Sequence, residues 1–371
     1  MPKRLIDPEY YLIPIVVFIL MAGLYLGYSI AVDNYFLFKP VWDIQHYVDI
    51  SETGYDAHPC TPYDYPPGKI CGNVGWYPAW PLLIKFSRPI LGGDSQTTYI
   101  FLAMALTLAS FIMLYRFVVL RFDRTAATLT LLATAFGPAS FYLLSGFPYA
   151  LFLFLFLLYL HMLYAPTGPK REIVLFLSGL ALSATYPTGI LAAIVPVVWY
   201  VFDRRRRQAS PFTPITASNL LKYVIPFALG ILLLWLYFYI RFDDFFIQLE
   251  FQERYQRTWA IPLVVIWKSL SSQPLFSPEN AVIIWYGLAF VLFLPYRLKP
   301  ELWVLGLALL LFSPATGSTM SIYRHYLLIV PAYMLVGSAR RPLWLKTAFI
   351  IFGLILALTV LFPRFIASRL I

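Results

Sequence analysis

Charge is scarce in this chain. Only 12% of its 371 residues are Asp, Glu, Lys or Arg, about half of what a soluble domain carries, which excludes a water-bathed globular fold. Cysteine is scarcer still: two residues, Cys60 and Cys71, too few for a disulfide-built scaffold or a cysteine-rich metal site. There is no glycine-rich phosphate loop, no nucleophile elbow and no zinc spacing. The Asp-x-Asp pair that cradles a nucleotide-sugar metal is also missing, since Asp243 and Asp244 are adjacent and point apart. No metal or other cofactor is therefore indicated; a divalent cation is compatible with the chain but has no motif behind it.

Apolar residues fill the place of the missing charge. They make up 60% of the chain, gathered in runs near the roughly 20 residues that cross a bilayer. The runs lack the alternation of a barrel, and a spanning backbone that is not a closed barrel must be helical. The composition predicts an all-α polytopic membrane protein forming one unit over 1–371. The first run, 10–30, is long and bulky and has no small-residue cleavage site, so it reads as a retained span.

The net charge of +10 sits in short gaps between apolar runs: Arg121 and Arg124, Lys170 and Arg171, Arg204 to Arg207, Arg297 and Lys299, Arg340, Arg341 and Lys346. That is the positive-inside pattern, and it speaks for membrane anchoring rather than nucleic acid. With those clusters in the cytoplasm, spans follow at 98–120, 126–142, 149–164, 173–184, 188–201, 221–240, 281–298, 303–311, 326–336 and 347–362. The total is about 11 helices, with the N-terminus cytoplasmic. Residues 260–270 are too short to span and read as a re-entrant or interfacial piece. Two long loops, 33–96 and 241–280, and a shorter polar one, 313–324, open on the extracytoplasmic side. A transporter would place its polar groups near mid-membrane; here they lie in the outer loops.

Both cysteines fall in the first outer loop, in CTPYDYPPGKIC. A disulfide across this short Pro-Gly loop suits an oxidising compartment. Metal binding and two free thiols are the alternatives.

The same loop opens with KPVWDIQHYVDISETGY. As a short helix it sets Asp43, His46 and Asp49 three residues apart in turn, so that His46 neighbours both carboxylates. Tyr47 shares the side of Asp43. Asp43 and Asp49 diverge by about 120 degrees at 100 degrees per residue, which argues against a joint metal clamp. One carboxylate then faces a cavity while the other braces the helix. The bland alternative is a solvated loop helix.

WDIQHYVDISETGY resembles the start of the PIG-V-like mannosyltransferases, membrane enzymes of the glycosyltransferase C fold. Trp42, Asp43, Tyr47, Ile50, Gly54 and Tyr55 match their first outer loop, and Ser51 takes an Ala place. WYPAWPLLIK is similar to a second family segment, with Pro78 and Pro81 in register. FGPASFYLLSGFPYALFLFL and SIYRHYLLIVPAYM are similar to a third and a fourth, in the right order. Two positions depart: Tyr149 stands where the family usually has Glu, and Tyr186 begins a Tyr-Pro-Thr-Gly where it often has Arg. The loss of one acid and one base bears on the acceptor and the sugar and leaves Asp43 untouched.

The resemblance implies a polyprenyl-phosphate sugar donor, mannose by default, and transfer with inversion to a glycan, glycolipid or protein hydroxyl at the extracytoplasmic face. It makes Asp43 the base, supported by His46, Tyr47 and Asp49, with His46 either orienting Asp43 or touching the acceptor. A lipid phosphate leaves as an anion and needs cations rather than a general acid. Arg254 and Arg257 in QERYQRTW, and Arg324 and His325 in YRHY, are the candidates for it. A lipid-linked sugar transporter or flippase, and a non-catalytic subunit of a glycosylation complex, are the competing functions. The compact chain suits a prokaryotic plasma membrane, with the endoplasmic reticulum as the alternative.

Overall fold

The computed structural model describes residues 8–61, 68–203, 217–255, 258–294, 298–367 and 370. Lys3, Arg4, Asp64, Arg204 to Arg207, Arg257 and Arg297 lie outside the described residues. Among the described residues seventeen α-helices follow one another: α1 Glu9–Ala31, α2 Asp43–Glu52, α3 Ala79–Leu91, α4 Ser95–Val119, α5 Arg124–Ala135, α6 Tyr149–Leu163, α7 Pro169–Ser183, α8 Ile194–Asp203, α9 Ala217–Phe242, α10 Ile247–Glu253, α11 Pro262–Ser272, α12 Pro278–Leu292, α13 Pro300–Ala315, α14 Ile322–Tyr326, α15 Val330–Ser338, α16 Leu343–Leu356 and α17 Phe362–Ile366. A two-stranded antiparallel ribbon, β1 Ala57–Pro59 and β2 Ile70–Gly72, lies between α2 and α3. The all-α expectation is corrected to that extent: the cystine brings the two short segments side by side, and their backbones pair.

Among the described residues four helices are long and apolar enough to cross a membrane: Glu9–Ala31, Ser95–Val119, Leu220–Phe242 and Leu343–Ile366. Four shorter apolar helices accompany them: Tyr149–Leu163, Pro187–Phe202, Pro278–Leu292 and Pro300–Ala315. The expected run at 126–142 is broken. α5 ends at Ala135, and after Gly137 and Pro138 the chain continues as a 3-10 turn over Ser140–Leu144, because Pro disfavours a helical residue before it and has no N–H to donate. The piece at 260–270 falls largely in α11, and Trp259 and Ile261 before it and Leu263 and Trp267 within it are exposed.

Packing sorts the helices by depth. α15 is buried along its whole length and lies against α5. At Gly337 a Cβ would meet the Thr130 hydroxyl at 2.1 Å and the Ala126 carbonyl at 2.4 Å, so only glycine admits this approach. α7 and α9 meet in the same way: a Cβ on Gly230 would lie 2.1 Å from the Ser183 hydroxyl and 2.5 Å from the Leu180 carbonyl. α1 lies at the periphery and presents Leu12, Ile19, Leu20 and Ile30 outward, as a lipid-facing helix would.

Basic residues from separate gaps converge at one end of the bundle. Tyr164 donates to Glu301 at 2.6 Å. The Arg121 guanidinium lies 4.5 Å and the Lys299 ammonium 4.6 Å from the Tyr164 ring centroid, while Arg171 donates to the neighbouring Leu163 carbonyl.

Candidate functional site

α2 is set by what precedes it. Trp42 has φ 52°, a left-handed conformation costly for a bulky residue and held only by surrounding structure. Its ring is gripped edge-on by Phe36 at 5.0 Å and Phe365 at 5.9 Å. The helix then begins at Asp43 and buries Ile44, Tyr47, Val48, Ile50 and Ser51. Gly146 makes room for it, since a methyl there would stand 2.7 Å from both Ile44 and Tyr99.

The partner of Asp43 comes from the far end of the chain. Ser321, with φ 62°, starts α14, and one turn later Arg324 Nη1 donates to Asp43 Oδ2 at 2.5 Å, across 281 residues of sequence. Nη2 donates to the Ser321 hydroxyl at 2.7 Å, and the guanidinium carbon lies 5.4 Å from the Phe147 ring centroid. The Arg324 side chain is 11% exposed and that of Asp43 32%. Oδ1 of Asp43 has no hydrogen-bond partner among the described residues, so one carboxylate oxygen is fixed and the other is available. Both elements that bring the pair together start from a residue in the left-handed region.

His325, the next residue, faces a tyrosine relay. Its Nδ1 lies 3.1 Å from the Tyr186 hydroxyl, which lies 3.4 Å from that of Tyr149. The rings of these two tyrosines meet edge to face at 5.4 Å. The two positions where the chain departs from the resembled pattern are thus in contact with each other. Tyr47 is fully buried nearby; burial first, then the Asp43 charge, pushes its phenol well above the ordinary value, so it is present as a neutral donor.

The other candidates gather about one helical turn further along α2. His46 stacks on Trp76, ring centroids 3.8 Å apart and planes at 26°. Burial lowers its pKa against the opposing pull of Asp43 and Asp49, so it is neutral at pH 7. Asp49 Oδ1 accepts from Gln45 at 2.7 Å. Arg254 donates to the Tyr255 hydroxyl at 2.6 Å and lies 3.9 Å over the Phe251 ring. His46, Asp49 and Arg254 line a cavity of about 550 Å³ together with groups from the β-ribbon. Cys60 and Cys71 form a disulfide that closes this ribbon, with Cα atoms 4.9 Å apart. Asp43 and Arg324 are therefore brought together, Asp43 and Asp49 are kept apart, and Arg254 joins His46 rather than Arg324. Sequence reasoning passed over Tyr186, Tyr149, Ser321 and Trp76 as site members; only the two tyrosine departures carried a signal. Among the described residues no group of three or more His, Cys, Asp or Glu is placed to hold a metal ion.

This helical fold sets its polar pair at the loop end of an apolar bundle. It is similar to the apo oligosaccharyltransferase of Archaeoglobus fulgidus, with a TM-score of 0.53 and 13% identity over 98% of this chain and 56% of that one. Two other structures of that enzyme match less closely. The form tethered to an acceptor peptide containing the NVT sequon gives 0.48 at 11% identity, over 98% and 55% of the two chains. The complex with Zn and sulfate gives 0.41 at 12% identity, over 90% and 48%. The chain spans about half the length of the structures it matches, and at these identities the likeness bears on the fold alone. No family model and no curated protein sequence matches the chain.

Proposed function

We propose that this protein is a membrane glycosyltransferase of the PIG-V-like kind, with about 11 spans, which transfers a sugar from a polyprenyl-phosphate donor to an acceptor hydroxyl with inversion. Mannose is the sugar the four resembling segments favour. The reading sets the loop end of the bundle outside the cytoplasm, with the basic end inside, as the distribution of Lys and Arg favours. The observation that carries it is the Asp43–Arg324 pair, in which one carboxylate oxygen is held and the other is left to react.

The chemistry follows from that pair. The acceptor oxygen attacks the anomeric carbon and its proton passes to Asp43 Oδ1. The bond from the anomeric carbon to the phosphate oxygen breaks, and its electron pair leaves with the lipid phosphate. Asp43 goes from −1 to neutral as the phosphate gains one negative charge. In this reading Arg324 loosens its hold on the carboxyl and takes up the phosphate oxygen, so that positive charge is present where negative charge develops. His325, in contact with Tyr186, supplies a further donor. Tyr47 and the neutral His46 keep the base in place.

The test is consumption of donor. Purified protein is incubated with a panel of polyprenyl-phosphate sugars in the presence of detergent extracts of membrane glycans. Consumption of one donor that depends on Asp43 supports the reading; no consumption of any donor removes it.

A further inference from the structure

We propose that the cavity beside α2 is a binding site for a neutral saccharide, and that this saccharide is the body of the acceptor, held one helical turn from Asp43. The acceptor role rests on the transferase reading; the saccharide site itself does not.

The cavity is built rather than incidental. Its volume of about 550 Å³ lies within the range of ordinary small-molecule sites, roughly 300–1,000 Å³, with room for more than one sugar ring. One wall is α2, with His46 and Asp49; another is the ribbon, with Asp56, His58 and Asn73; Arg254 closes a third side. Asn73 ties the ribbon down: its Oδ1 accepts from the Asp56 N–H at 2.8 Å and its amide donates to the Gly54 carbonyl at 3.3 Å. At Gly72, φ +109°, a Cβ would lie 2.2 Å from the Asp56 carbonyl, so the strand passes this close only as glycine. The Cys60–Cys71 bond sits at the register step where His58 faces Cys71.

The lining chemistry selects the ligand. Asp49 and Asp56 bring two carboxylates against one guanidinium, and that guanidinium already packs on Phe251 and donates to Tyr255. An anion would meet net negative charge. A bare metal ion would need three ligands together, which the described residues do not supply. A neutral polyhydroxylated ring suits every group present. Carboxylates accept from hydroxyl pairs, Arg254 donates, and the neutral imidazole of His46, stacked on Trp76, offers a flat apolar face beside them. His58 hydrogen-bonds Asp56 at 2.8 Å and holds that carboxylate in place.

Position then assigns the role. His46 stands three residues after Asp43 on the same helix, a rise of about 4.5 Å, and it lines the cavity together with Arg254. A saccharide in the cavity would carry its terminal hydroxyl toward the free oxygen of Asp43.

Isothermal titration of the purified protein with mannotriose, maltotriose and cellotriose reads the site directly. Saturable binding of at least one, weakened tenfold or more by Asp49→Ala and by Asp56→Ala and retained by Asp43→Asn, supports the proposal. Should either alanine variant lose its thermal transition, Asp49→Asn or Asp56→Asn takes its place, with the same weakening expected. No saturable saccharide binding overturns the proposal, as does binding untouched by the variants, or binding of a peptide or inorganic phosphate instead. Donor consumption separates the two readings. Donor consumed in an Asp43-dependent way, with no saccharide effect of Asp49 or Asp56, leaves the transferase without this site. Saccharide binding that maps to Asp49 and Asp56, with no donor consumed, leaves the site without the transferase.

Discussion

Arg324 Nη1 and Asp43 Oδ2 stand 2.5 Å apart, the guanidinium nearly buried and the carboxylate a third exposed. The pair joins α2 to α14 and leaves one oxygen of Asp43 free. A double-mutant cycle with Asp43→Asn and Arg324→Gln is expected to show coupling of about 1.5–3 kcal/mol, at the lower end because water reaches Asp43. Additive losses in unfolding free energy would mean that the contact contributes nothing.

Asp43→Asn keeps size and hydrogen bonding and removes the proposed base. Transfer is expected to fall by at least about 100-fold, with donor binding nearly intact. Asp49→Asn, whose side chain bonds Gln45 instead, is expected to raise the acceptor KM and spare kcat. Paired measurements of donor binding and sugar transfer check both. Wild-type transfer by Asp43→Asn would sink the active-site assignment.

The Tyr149–Tyr186 contact at 3.4 Å predicts a compensated swap. Tyr149→Glu alone places a carboxylate in a buried site and is expected to destabilise by about 3 kcal/mol or more; adding Tyr186→Arg supplies a partner and recovers most of the loss. Thermal unfolding of the two single variants and the double is the measurement. A double variant no better than Tyr149→Glu alone would count against the contact.

His46 carries a pH dependence whose sign follows from its lowered pKa. Above the ordinary histidine value of about 6.5 the ring is neutral in both folded and unfolded chains and contributes no slope. Below it the unfolded chain binds the proton more readily, so stability falls as the pH drops, until the folded ring also protonates. His46→Gln is expected to flatten that acid limb, and an unchanged limb would show that other groups set it.

The disulfide closes a separation of 11 residues, worth about 3 kcal/mol in the chain-entropy view. Cys60→Ser with Cys71→Ser is expected to lower the thermal midpoint and to weaken saccharide binding, while donor binding stays. Peptide mapping without reductant should recover the 60–71 pair intact.

Patterns within a single helix could be read from the sequence, and patterns that depend on how distant segments meet could not. The apolar runs located α1, α4 and α9, because a spanning helix records its environment in its own composition. The three-residue spacing in α2 set Asp43 and Asp49 on different bearings, since helical angle is a local property, and the two have different partners in the fold. The break after α5 was less legible: the run through Leu131 and Leu132 stays apolar past the point where Gly137 and Pro138 end the helix. Nothing near Asp43 announces Arg324, and nothing near His46 announces Asp56 or His58, since each juxtaposition is made by the fold. Trp42 could not be foreseen in the left-handed region, because only the grip of Phe36 and Phe365 sustains it there.

The sequence separation of 281 between Asp43 and Arg324 also sets an order of events. A chain emerging from the ribosome, at about 5–20 residues per second, exposes its carboxylate early and waits some tens of seconds for the guanidinium that completes the pair. Until then α2 has only its ribbon and its apolar face to hold it. A nascent or prematurely ended chain lacking α14 therefore inserts without the ion pair that joins α2 to α14. The pair forms only once both segments have been made, so translation itself delays it.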